Sequence, residues 1–217
     1  MMTDWIDVHT HKPGRGTSVA DACLGKVDVP EAARVYFSSG IHPMFADSGA
    51  EDRLALIRQE AAEGRIVAVG ECGVDRNVPV AMELQMDLFQ HQAEIAAEYG
   101  LPLIVHGVRA IPEIIGVHNR CGASGNWVLH GFNNRREILT DLLHHGFYIS
   151  AGHHVLNAES NIYRLLPEIP DDRLFLETDN SGRAIEDIYR AVAERKGVSV
   201  EELQRMVRLN FERVFPV

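Results

Sequence analysis

A chain of 217 residues that is 46% hydrophobic and 24% charged is long enough to bury one large core or two small ones. Its formal net charge of −10 excludes a broad basic surface for sliding along nucleic acid. No apolar run approaches the roughly 18 residues that a membrane helix needs, and Met1-Met2-Thr3-Asp4 lacks the basic and apolar regions of a secretory signal. A soluble, cytoplasmic protein with no membrane partner is expected.

Three cysteines, Cys23, Cys72 and Cys121, are an odd number with no C-x-x-C pair, which points to reduced thiols rather than disulfides or a thiolate zinc cluster. Cys72 reads as a small core residue. Eleven histidines are more than an average chain of this size carries and hint at metal chemistry.

The first apolar run, Trp5 to Val8, leads into Asp7-Val8-His9-Thr10-His11. At a strand tip, side chains two residues apart point the same way, so Asp7, His9 and His11 would share one face. Taken alone, this His-x-His reads rather as part of a polar surface loop, and it is the other ligand-type residues at the ends of apolar runs that overturn that reading. Lys12 to Gly16 is a turn-rich loop, and Thr17 to Ala33 is too short for a helix, a strand and another helix. Arg34 to Ser38 is the next strand, with Gly40-Ile41-His42-Pro43 as a turn-like exit. Glu51 to Glu63 has a helical apolar rhythm that stops at Gly64.

Arg65 to Glu71 is a continuous apolar run, which suits a parallel strand buried on both faces. Val80 to Tyr99 repeats apolar residues at three-to-four spacing and closes at Gly100. Pro102 to His106 is a strand, Ile111 to Asn119 a helix with Pro112 in its first turn, and Trp127 to His130 another strand. Arg135 to His145 is helical, Phe147 to Ser150 a strand, Ile162 to Leu166 a short helix and Arg173 to Asp179 the last strand. Two helices finish the chain, around Ala184 to Lys196 and Val200 to Val214, the second capped by Ser199.

Strand–helix alternation throughout predicts an α/β fold with parallel strands and right-handed crossovers. Seven strands are legible. A TIM-type (β/α) barrel forming one domain over residues 1–217, with one βα unit compressed or missing near residues 17–33, fits better than an open sheet. No Gly-x-Gly-x-x-Gly loop follows the first strand.

Such barrels assemble their active sites at the carboxyl ends of the strands. His9, His11, Glu71, His106, His130 and Asp179 all fall at that end. Four imidazoles and two carboxylates without sulfur suit divalent zinc, manganese, magnesium, iron or nickel. Six ligands exceed one tetrahedral shell and suit two divalent metal ions about 3.5–4 Å apart. Glu71 is then the candidate bridge.

These pieces, with Gly40-Ile41-His42-Pro43, Val69-Gly70-Glu71-Cys72-Gly73-Val74-Asp75, Gln85 through Gln92, Leu101 to His106, Leu129-His130-Gly131-Phe132 and Leu176-Glu177-Thr178-Asp179, stand in an order over nearly the whole chain that resembles the TatD family of metal-dependent deoxyribonucleases. The resemblance implies that His9, His11, Glu71 and Asp179 hold one ion and that Glu71, His106 and His130 hold the other. It also implies that Asp179 orients or deprotonates the attacking water, with Glu71 the second catalytic carboxylate. The sequence departs from the family in its shorter length, in Asn180-Ser181-Gly182-Arg183 after Asp179, and in an arginine displaced to Arg109.

Lys12, Arg109, His153 and Arg183 are candidate substrate-binding residues. Arg109 and Arg183 read equally as helix-start arginines in solvent, and His153 with His154 as a solvated turn. Asp7 and Asp75 are candidates for holding an imidazole by hydrogen bond, with turn capping the alternative for Asp75. His144 and His145 fit a helix C-terminus, His91 and His118 sit in helices, and His42 points into a loop at the catalytic end. The leading functional expectation is a two-metal phosphodiesterase, a DNase with 3′–5′ exonuclease character acting on single-stranded or frayed DNA ends, with no obligate protein partner. The alternatives are an amidohydrolase or deacylase acting on a small amide or ester, and a non-catalytic metal-binding scaffold.

Overall fold

The structure is a computed structural model that describes residues 5–22, 28–31, 33–47, 49–121 and 125–217. The opening residues 1–4 and Cys23 lie outside the described residues. In chain order the elements are β1 (Ile6–Thr10), β2 (Thr17–Asp21), β3 (Arg34–Ser39), α1 (Ala50–Ala62), β4 (Ala68–Asp75), α2 (Met82–Tyr99), β5 (Leu103–Val108), α3 (Ile111–Arg120), β6 (Trp127–Leu129), α4 (Arg136–His144), β7 (Tyr148–Ala151), α5 (Asn161–Leu165), β8 (Leu174–Leu176), α6 (Ile185–Lys196) and α7 (Val200–Val214). Short 3-10 turns punctuate them, one of which, Pro43–Phe45, follows β3.

The eight strands pair in sequence order and every pair is parallel, so the sheet curls into a nearly closed TIM-type barrel. All eight residues of β4 are buried, which is why its sequence reads as an apolar run without alternation. The outer helices lay apolar stripes against the sheet, and Ser199 and Glu202 close a reciprocal capping box at the start of α7.

One expectation is corrected here. The sheet has eight strands, not seven, and the eighth lies in the stretch read as compressed. Thr17–Asp21 carries only two apolar residues, yet all five are buried between β1 and β3, to both of which it pairs. What is shortened is helix. Six residues join β1 to β2, a reach of about 20 Å when extended, enough to return along a strand but not to wind a crossover helix. Among the described residues there is no helix between β1 and β3.

The barrel closes without a full ladder between β8 and β1. Asp179 donates its backbone N–H to the His9 carbonyl at 2.9 Å, and His11 donates to the Asp179 carbonyl at 3.3 Å. Asp7 completes the seam rather than holding an imidazole: it accepts the N–H and the hydroxyl of Thr178, and that hydroxyl also meets the Thr10 hydroxyl at 2.9 Å. The register of β1 shifts between Asp7 and Thr10, and Asp7 lines the cleft of Lys12 and Arg183 rather than the cavity of His11, Glu71 and Asp179.

Candidate metal centre

His9 and His11 leave the end of β1, Glu71 lies in β4, His106 in β5, His130 just past β6 and Asp179 just past β8. Their side chains converge on Glu71, whose two oxygens face different partners. Oε2 lies 3.4 Å from His9 Nε2 and 4.0 Å from His11 Nε2. Those two nitrogens lie 3.6 and 3.4 Å from Asp179 Oδ1. Oε1 lies 2.6 Å from His106 Nδ1 and 2.7 Å from His130 Nε2.

This convergence depends on how closely β4 approaches β5. Gly73 has φ +149°, and a Cβ there would sit 2.0 Å from the His106 carbonyl oxygen, so only glycine leaves room for His106 beside Glu71. Asp179 holds φ +51°, a left-handed conformation that Asp tolerates better than most residues. The two backbone hydrogen bonds that close the barrel fix it there.

Further groups hold the rings from behind. His106 turns its Nε2 to Asp75 Oδ2 at 3.2 Å, while Asp75 Oδ1 caps the following turn by accepting the Asn77 N–H at 2.7 Å. His130 Nδ1 faces Glu177 Oε1 at 3.4 Å, and that oxygen accepts the Gly131 N–H at 2.6 Å. Glu177 is fully buried, and the sequence reading gave it no role. Strand parity was the available signal, since Glu177 and Asp179 lie two residues apart.

The electrostatics follow from this packing. Burial pushes the Glu71 carboxyl up, but the charge of His130, the close contacts of His106 and His130 and the proximity of His9 outweigh it and hold it well below the usual carboxylate range. Burial pushes Asp179 up as well, and His11, His130 and His9 bring it down. Burial lowers His130, yet Glu71 and Glu177 raise it well above an ordinary imidazole. The carboxylates and imidazoles of the centre thus hold one another's charge in a site largely withdrawn from water.

The donor chemistry fits a divalent cation. His9 is fully buried with neither ring nitrogen hydrogen-bonded, and the Nδ1 atoms of His11 and His130 are likewise without hydrogen bonds. Such atoms are costly to bury unpaired. Four donors about 2.1 Å from one ion stand about 3.4 Å apart, close to the spacings among His9, His11, Glu71 and Asp179. Three overlapping groups bring their donor atoms within 4.8 Å of one another: His9, His11 and Glu71; His9, His130 and Asp179; and His42, Glu71 and His106.

A cavity of about 320 Å³ opens onto these atoms, edged also by Asp21, His42, Met44, Phe45 and Asn180. Asp21 comes to the site from β2, a strand the sequence does not make legible, and His42 from the turn after β3, the loop at the catalytic end where it is expected. The substrate-binding candidates are placed less centrally. Lys12 and Arg183 line a separate cleft together with Arg15, and none of the three makes an ion pair among the described residues. His153 lines a second cavity that shares His106, His130 and Asp179 with the first. Arg109 is exposed, with φ +53°, and lends its carbonyl to Arg76. His118 and Cys72 are buried in the core, while His91 stands exposed on α2 opposite Asp87.

A parallel barrel with carboxylates and imidazoles gathered at its strand ends defines a metal-dependent hydrolase. A sequence model of the family described as "TatD related DNase" matches residues 25–216, and the chain belongs to the TatD family. It is 34% identical over 212 residues to the metal-dependent hydrolase YcfH of Escherichia coli K12, covering 87% of this chain and 77% of that one. It is 32% identical over 228 residues to the 3′-5′ ssDNA/RNA exonuclease TatD of Dickeya dadantii, covering 92% and 84%. The fold matches the crystal structure of the TatD homologue YjjV from E. coli K12 with a TM-score of 0.84 at 20% identity over the whole of both chains. These relationships make the chain a divalent-metal-dependent hydrolase acting on ester bonds. Among the described residues, no helix is long and apolar enough to cross a membrane.

Proposed function

We propose that this chain is a two-cation phosphodiesterase that trims single-stranded or frayed DNA from its 3′ end in the cytoplasm. The observation that carries this reading is the division of Glu71, with Oε2 among His9, His11 and Asp179 and Oε1 between His106 and His130. One carboxylate shared by two donor sets is the arrangement expected of a bridged pair of cations. Zinc, manganese, magnesium, iron and nickel all match the donors. Bound there, such ions supply Lewis-acid charge to a phosphodiester and lower the pKa of water.

The chain's own groups do the rest. Asp179 is held ionised and is partly open to solvent, so its carboxylate can take the proton of the attacking water. Asp75 and Glu177 hold the rings of His106 and His130 in place. Met44 and Phe45 give the cavity an exposed apolar edge on which a nucleobase can rest. Lys12, Arg109, His153 and Arg183 are assigned to phosphates further along the strand. The net charge of −10 makes substrate affinity weak and dependence on added divalent metal strong.

The test is cleavage of a 5′-labelled single-stranded oligonucleotide with added manganese, magnesium or zinc, beside a panel of small esters and amides. A metal-dependent ladder shortening from the 3′ end, lost in Asp179→Asn, is the expected result. An intact oligonucleotide with a hydrolysed ester or amide would assign the site to an amidohydrolase or deacylase. No turnover of any substrate would leave a scaffold.

A further inference from the structure

His42 belongs to one of the three groups whose donor atoms could share a cation, with its Nε2 3.5 Å from Glu71 Oε1. Proximity alone would make it a seventh ligand. The hydrogen bond on the far side of its ring says otherwise. His42 is the N-cap of the 3-10 turn Pro43–Phe45, and its Nδ1 accepts the Met44 N–H at 3.0 Å. Pro43 has no N–H, so this bond satisfies the first free donor of the turn.

A ring nitrogen that accepts a hydrogen bond carries a lone pair and no proton, and a neutral imidazole then carries its proton on the other nitrogen. Nε2 of His42 therefore bears hydrogen and has no lone pair for a cation. The neighbouring rings are set the opposite way. Behind His106 stands the Asp75 carboxyl and behind His130 the Glu177 carboxyl, acceptors that draw the ring proton backwards and leave the inward nitrogen free to ligate. An acceptor behind the ring makes a ligand; a backbone donor behind the ring makes a donor.

We infer that His42 is a fixed hydrogen-bond donor facing the metal centre, placed to bind a non-bridging oxygen of the phosphate being cleaved. This rests on the phosphodiesterase reading above. The Nε2–H looks into a cavity walled by the Glu71 and Asp179 carboxyls. It makes no hydrogen bond to Glu71 at 3.5 Å, which leaves it available to an incoming oxygen. A neutral donor at that position favours an oxygen that gains charge as the bond breaks, and its effect falls on turnover rather than on binding.

Two measurements test this. The first is the ¹⁵N spectrum of the histidine rings as zinc is added. His42 should keep a protonated Nε2 and an unprotonated Nδ1 throughout, while the rings of His9, His106 and His130 change. Loss of the His42 Nε2 proton on zinc addition would overturn the inference. The second compares His42→Asn and His42→Gln with the parent chain. Asn keeps an oxygen to cap Met44 but cannot reach the cavity, whereas Gln extends an amide N–H towards it.

His42→Asn should bind the same equivalents of zinc as the parent, with kcat on the oligonucleotide down by about 10² and KM little changed. His42→Gln should recover part of the loss. Fewer bound equivalents in His42→Asn, or unchanged kcat in both variants, would overturn the inference. If the parent chain cleaves no oligonucleotide, the phosphodiesterase reading fails, and the spectrum still decides whether His42 is a ligand or a donor.

Discussion

Thr178 donates its backbone N–H to Oδ1 of Asp7 at 3.0 Å and its hydroxyl to Oδ2 at 2.6 Å, fastening β8 to β1 across a seam that no extended ladder joins. That seam separates His9 and His11 from Asp179. Asp7→Ala should lower stability to urea by about 3 kcal/mol, since two buried hydrogen bonds are lost and two donors stranded. It should also weaken zinc binding in competition with a chelator. Burial pushes the Asp7 carboxyl up to about 7, so the neutral amide of Asp7→Asn is a near substitute and should cost much less. Equal effects from the two changes would contradict the clasp.

Glu177 sets the ring of His130 as Asp75 sets that of His106. Replacing Glu177 by Gln keeps an oxygen for the Gly131 N–H but weakens the pull on the His130 ring proton. Zinc affinity of the site containing His130 should fall by about 10- to 100-fold while the fold is kept. Calorimetric titration with zinc, alongside a circular dichroism spectrum, would check both halves. Unchanged zinc affinity would leave Glu177 with a packing role only.

The barrel was legible because parallel strands buried on both faces read as apolar runs, and β4, β5 and β6 each run into a side chain that reaches the centre. Thr17–Asp21 was not, because its polar residues are buried by neighbouring strands, a condition its own sequence does not encode. The role of Asp7 is not legible because both of its oxygens are taken by Thr178, a partner 171 residues away in the chain. His42 lies beyond its strand, where a capping hydrogen bond decides the direction of the ring. Lys12 adjoins His11 in sequence yet lines a different cleft, because both residues lie in the bend that follows β1, where strand alternation no longer sets the direction of a side chain.

Gly73→Ala tests the close approach of β4 and β5. The added methyl would meet the His106 carbonyl oxygen at 2.0 Å on a backbone at φ +149°, so neither a rotamer change nor a small shift relieves it. A loss of more than about 3 kcal/mol, or failure to give soluble protein, is expected. Gly64→Ala is the control: its Cβ would meet nothing within 4 Å although φ is +65°, and only the smaller left-handed cost of about 1 kcal/mol applies. Chemical denaturation of both variants ranks them, and similar losses would refute the steric account.

His118 gives the fold a pH dependence away from the metal centre. Its ring is buried between Trp127, at 5.0 Å, and Phe147, at 4.8 Å, with Nδ1 unpaired. Burial, helped by the charge of His145, pushes its pKa below the ordinary imidazole value. The unfolded chain, titrating near 6.5, then binds the proton more readily than the folded one. The stability contributed by the neutral ring is present above about pH 6.5 and is lost as pH falls through the lower folded-state value. His118→Phe removes this titration while leaving His144 and His145 in both proteins, so the difference between the two isolates His118. Urea midpoints measured from about pH 7.5 down to about pH 5 should show the parent losing stability relative to the variant as the medium becomes acidic. Parallel curves would mean that the ring takes up its proton in place, without cost to the core.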